Sequence, residues 1–124
     1  GPNVLGVEAL QGDDGCTGVK VNTADGYADY LFTATDMQAH HPSKRVSFCG
    51  RLGLIREKEG QIQLMYLGCG RSLKKGNFVL ESDHDVYAAI YMQHGVWYYS
   101  ATGPVRVKIG KETKELNEGY NQKL

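Results

Sequence analysis

A chain of 124 residues is the size of one domain and leaves no room for a second of ordinary length. Hydrophobic residues at 41% and charged residues at 23% are enough for a core and argue against intrinsic disorder. Lys and Arg total 14 and so do Asp and Glu, so the chain lacks the positive field that grips phosphate backbones. No apolar run approaches the roughly 18 to 20 residues that cross a bilayer, and neither nucleic acid nor a membrane is expected as a partner.

Gly1-Pro2 reads as the remnant of a protease-cleaved tag, so any targeting segment, or a whole neighbouring domain, is expected to have been cut away. Beyond it, 16 glycines are scattered along the chain and punctuate short runs rich in Val, Ile, Tyr, Phe and Leu. Strands are predicted over 4–10, 17–23, 27–34, 45–56, 61–68, 77–81, 86–93, 96–101, 104–109 and 112–116. Val19 and Val21 alternate with Lys20 and Asn22, Tyr30 and Phe32 with Asp29 and Thr33, and Val105, Val107 and Ile109 with Arg106 and Lys108. Each such strand should have one wet and one buried face. A helical turn fits only around Ala34 to Ala39, before His40-His41-Pro42. Residues 117–124 are polar and patternless and are expected to fray. About ten strands imply an all-β, antiparallel two-sheet β-sandwich over residues 1–116, with a barrel as the other closure.

Two hairpins can be registered by arithmetic. A four-residue loop Glu57-Lys58-Glu59-Gly60 sets Ile55 opposite Ile62, whereas a two-residue Glu59-Gly60 turn sets Glu57 there, so the longer loop is expected. His94-Gly95 fits a type I′ turn that pairs Gln93 with Val96, Met92 with Trp97, Tyr91 with Tyr98 and Ile90 with Tyr99. The predicted core is Val19, Val21, Tyr30, Phe32, Ile55, Ile62, Leu64, Ile90, Trp97, Tyr99, Val105 and Val107.

The His94-Gly95 register leaves a second face of Tyr87, Ala89, Tyr91, Gln93, Tyr98, Ser100 and Thr102. Flat phenol rings on a rigid sheet stack on sugar rings while neighbouring amides and hydroxyls bond to them, so Tyr87, Tyr91, Tyr98, Gln93 and Ser100 are the candidate ligand-binding residues. The competing reading is that a loop or a neighbouring domain covers these tyrosines. Cys16, Cys49 and Cys69 are odd in number and read as small buried hydrophobes, with a Cys49–Cys69 bridge as the alternative. Glu81 with Asp83-His84-Asp85, and Asp13-Asp14-Gly15, read as acidic turns short of a calcium-loop spacing. His40-His41 reads as surface loop, since neighbouring histidines in an extended strand point to opposite sides. Gly68-Cys69-Gly70 follows a strand with no helix after it to build an oxyanion site. No GxSxG, Walker, GxGxxG, HExxH or CxxC pattern occurs. No catalytic residue, metal ligand or cofactor is therefore assigned.

The runs Val4-Leu5-Gly6-Val7-Glu8-Ala9-Leu10-Gln11-Gly12, Gly18-Val19-Lys20-Val21 and Asp29-Tyr30-Leu31-Phe32, with the ending Pro104-Val105-Arg106-Val107-Lys108-Ile109-Gly110-Lys111, resemble the closing β-sandwich of bacterial heparinase II/III-like polysaccharide lyases and related carbohydrate-active enzymes. In that family the catalytic residues sit largely on an α/α toroid with no counterpart here, and none carries over. The resemblance implies a C-terminal accessory β domain of a secreted or periplasmic bacterial enzyme. Its partner would be a glycan or the neighbouring catalytic domain. A protein-interaction or structural module using the tyrosine face, and a small polysaccharide-degrading enzyme, are the alternatives.

Overall fold

The computed structural model describes residues 4–124, and Gly1 and Pro2, read above as a cleavage remnant, lie outside the described residues. Eleven strands follow one another: β1 Val4–Leu10, β2 Cys16–Thr23, β3 Tyr27–Ala34, β4 His40–Ser43, β5 Val46–Lys58, β6 Gln61–Lys75, β7 Phe78–Gln93, β8 Val96–Ala101, β9 Val105–Ile109, β10 Glu112–Leu116 and β11 Gly119–Lys123. The all-β prediction holds, and every pairing is antiparallel. No helix is present among the described residues. The helical turn expected near Ala34 to Ala39 is instead a bend, closed by the Asp36 carboxylate accepting the Gln38 N–H at 3.0 Å.

The main path of pairing runs β1-β2-β3-β5-β6-β7-β8-β11, while β4 adds to β5, and β9 with β10 adds to β7. The geometry follows from strands β5, β6 and β7, which are 13, 15 and 16 residues long. Strands of that length must twist and bend. The bend falls where register slips between Cys49 and Gly50 and between Leu67 and Ser72. One part of β5 pairs with β3 and the other with β4, and one part of β7 pairs with β8 and the other with β9. Rings from the two sides of the bend meet inside: Phe32 lies 6.0 Å from Phe48, and Phe78 lies 5.9 Å from Trp97.

The predicted core residues Phe32, Ile55, Ile62, Ile90, Tyr99, Val105 and Val107 are buried, and Tyr30 and Trp97 pack half-buried against them. Val19, Val21 and Leu64 are corrected to half-buried positions on the outer face. Val19 pairs with Leu31 and Gly18 with Phe32, so it is Gly18, not a valine, that lies on the core face. The predicted separate strands 77–81 and 86–93 form the single bent β7. The tail expected to fray forms β11, hydrogen-bonded to β8.

The His94-Gly95 register is observed pair for pair, with both residues at positive φ of 52° and 78°. The four-residue loop is not. Glu59-Gly60 makes the two-residue turn and Glu57 does face Ile62. Arg56 then pairs with Leu64, which leaves Gln63 as the extra residue of a bulge. That residue lets Ile62 and Met65, three apart, share the core side with Ile55. The three cysteines are free and half-buried, so no Cys49–Cys69 bridge forms. The Cys49 thiol donates to the Met37 carbonyl.

Candidate functional site

The outer face of β6, β7, β8 and β11 is built by cross-strand pairing. Tyr66 stands opposite Ala89, and Ala89 opposite Ser100. A small residue therefore lies between taller neighbours and makes a groove. The groove has a volume of about 570 Å³, with Tyr66, Tyr87 and Tyr120 as aromatic walls, Ala88, Ala89 and Ala101 beneath, and Ser100, Thr102, Glu118 and Gly119 completing it. Tyr87 is 54% exposed and Tyr120 76%.

Two devices hold these walls. The Tyr87 N–H donates to Thr102 Oγ1 at 3.0 Å and the Thr102 N–H returns a bond to the Tyr87 carbonyl at 2.9 Å, which pins the backbone of the Tyr87 wall. In β11, register slips between Gly119 and Gln122, and Asn121 adopts a φ of 50°, a left-handed conformation that asparagine tolerates. The extra residue seats Asn121 against β8. Its N–H donates to Ser100 Oγ at 2.9 Å, and its side-chain oxygen accepts the Tyr91 hydroxyl.

Of the sequence-predicted ligand residues, Tyr87 and Ser100 line the groove. Tyr91 and Tyr98 stand beside it as a stacked pair, with centroids 6.1 Å apart and planes at 18°. Gln93 is exposed at the hairpin end and does not line it. Tyr66 and Tyr120 were missed by sequence reasoning. Tyr66 needs the β6–β7 register to be placed, and Tyr120 belongs to the segment read as a fraying tail. The phenols of Tyr66, Tyr87 and Tyr120 make no hydrogen bond among the described residues, unlike those of Tyr91 and Tyr99. The groove thus offers aromatic surface and free hydroxyls together.

The other sequence candidates lie outside the groove. Glu81 pairs with Arg106 at 2.8 Å and Asp85 with Arg71 at 2.8 Å, and Asp83 lies 3.8 Å from Arg106. Bonding to Arg106 holds the Glu81 carboxyl below its ordinary range. Cys69, at a φ of 50°, sits in the bulged bend of β6. His40, read as loop, is 5% exposed and lies between Asp13, 2.6 Å from Nδ1, and Asp36, 2.7 Å from Nε2. Among the described residues no group of three or more His, Cys, Asp or Glu side chains is arranged to hold a metal ion.

A family model described as the endo-acting ulvan lyase C-terminal domain matches residues 4–92. The match takes in Tyr66, Tyr87 and Tyr91 and stops before β8. No curated protein and no solved structure matches the chain.

Proposed function

The chain belongs to the family of endo-acting ulvan lyase C-terminal domains, and from that premise we propose that it is a non-catalytic accessory domain that holds polysaccharide for a lyase in its tyrosine groove. The observation that carries this reading is the convergence of Tyr66, Tyr87 and Tyr120 over an alanine floor. Pyranose rings present C–H faces that lie flat on phenols, and their hydroxyls bond to the phenol, Ser100 and Thr102 oxygens at the edge. The parent enzyme in this reading carries its catalytic residues on a heparinase II/III-like toroid, and it is a bacterial protein of the periplasm or the exterior.

Calorimetric titration with ulvan tests the groove. Tyr87→Ala together with Tyr120→Ala should weaken binding about tenfold, at about 0.5 to 1.5 kcal/mol per ring. The thermal midpoint should barely move, since both rings are exposed. Unchanged affinity in that variant would sink the proposal. Release of unsaturated chain ends from ulvan by this chain alone would favour the alternative of a small polysaccharide-degrading enzyme.

A second reading, packing against the catalytic domain, is favoured by β1. Among the described residues this strand pairs with β2 alone, and Val4, Leu5 and Val7 on it are 55%, 72% and 65% exposed. An apolar sheet edge of that kind is a surface for another body. It lies at the opposite end of the sheet from β11, so both readings hold together.

A further inference from the structure

Trp97, the single tryptophan of the chain, is half-buried on the inner face of β8. Its ring meets Phe78 at a tilt, and it lines a cleft of about 580 Å³ between the β8–β11 side and the β9–β10 hairpin. Val96, Val107, Ile109 and Leu124 give that cleft apolar surface, and Lys111, Glu112 and Lys114 line it with charge. Register explains the charges. Lys114 pairs with Val107 and Glu112 with Ile109, so these exposed side chains share the face on which Val107 is buried. A strand covering a sealed core would carry apolar residues there. Among the described residues Lys111 and Lys114 have no carboxylate within ion-pairing distance.

We infer that this cleft is a second saccharide subsite, separate from the tyrosine groove, that takes an acidic sugar residue with its ring on Trp97 and its acid group at Lys111 and Lys114. The inference rests on the reading of the domain as a polysaccharide binder. The ammonium groups of Lys111 and Lys114 supply donors and positive charge for an acid group, and the indole offers the flat surface that a pyranose C–H face covers. A lyase breaks a glycosidic bond by elimination, which requires a C–H bond acidified by an adjacent carboxyl group. A polymer cut in this way therefore carries carboxylates at intervals. The tyrosine groove has no cation among its lining residues, so the acid groups need a separate place.

Because Trp97 is the single tryptophan, its emission reports on the cleft directly. Ulvan titrated into the chain should change that emission, less so as salt rises, and ulvan with its carboxyl groups reduced to alcohols should leave it unchanged. Lys111→Ala with Lys114→Ala should weaken the emission-detected affinity about fivefold at an unaltered thermal midpoint, and Tyr87→Ala with Tyr120→Ala should retain the emission change. Calorimetric binding without an emission change, an equal response to carboxyl-reduced ulvan, or an unweakened lysine variant would each overturn the cleft while leaving the groove standing. If ulvan fails to bind by either measurement, both proposals fall.

Discussion

His40 shows what a single side chain does for loops that carry no core of their own. Both ring nitrogens face a carboxylate, of Asp13 and of Asp36, and a carboxylate accepts hydrogen bonds, so this setting favours the protonated imidazole. Bonding to Asp36 and then to Asp13 raises its pKa against the opposing effect of burial. Asp36 is lowered by the Gln38 N–H and by His40, and Asp13 by the His41 N–H and by His40. The histidine's contribution to stability is fully present below its unfolded pKa of about 6.5 and is lost as pH climbs through the raised folded value. The carboxylates contribute above their unfolded values of about 4 and lose their contribution as pH falls through the lowered ones. Urea midpoints measured from roughly pH 5 to pH 9 should therefore decline on the alkaline side, and His40→Asn should flatten that decline. A wild-type profile already flat there would show that His40 is not charged in the fold.

At the scale of the element, the bend of β5 and β6 depends on two facing glycines. A Cβ on Gly70 would lie 2.6 Å from Leu67, 2.8 Å from the Cys49 carbonyl oxygen and 2.8 Å from the Gly50 Cα. Two of those three atoms are backbone and cannot swing away. Gly70→Ala should cost about 1 to 3 kcal/mol by overpacking, whereas Gly6→Ala, with nothing within 4 Å of its Cβ, should be near neutral. Equal denaturation midpoints for the two variants would refute this account of the bend. The same bend limited what the sequence could reveal. The His94-Gly95 hairpin was legible because its register is local and unbroken, and it carried Tyr87, Tyr91 and Tyr98 to the correct face. Glu59-Gly60 was misread because strict alternation has no place for the bulge at Gln63. Phe48, Leu73 and Leu80, fully buried, escaped the core prediction because the long strands change partners at the bend. The polar β11 is held by β8's backbone and by Asn121, neither of which leaves a hydrophobic pattern, so the Tyr120 wall of the groove was hidden with it.

For the whole molecule, the order of strands separates two kinds of surface. β1 and β11 end the main path of the sheet, so a body docked on β1 leaves the tyrosine groove beside β11 free for a polymer. Leu5 and Val7 at 72% and 65% exposure, on a strand whose outer edge has no partner among the described residues, give the domain alone an edge prone to self-pairing. Lysine at both positions places like charges along that edge and sacrifices almost no buried area, so Leu5→Lys with Val7→Lys should leave the thermal midpoint within about 0.5 kcal/mol equivalents of wild type. Sedimentation over a range of concentrations should show self-association of the wild-type chain, reduced in the lysine variant. Ulvan affinity should be the same for both, because neither residue lines the groove. A wild-type chain that stays monomeric throughout would mean that the edge is already shielded by its own twist, and the docking role of β1 would lose its support. If instead ulvan affinity fell with the lysines in place, polymer would have to reach across the sheet from β11 to β1, and the separation of the two surfaces would be wrong.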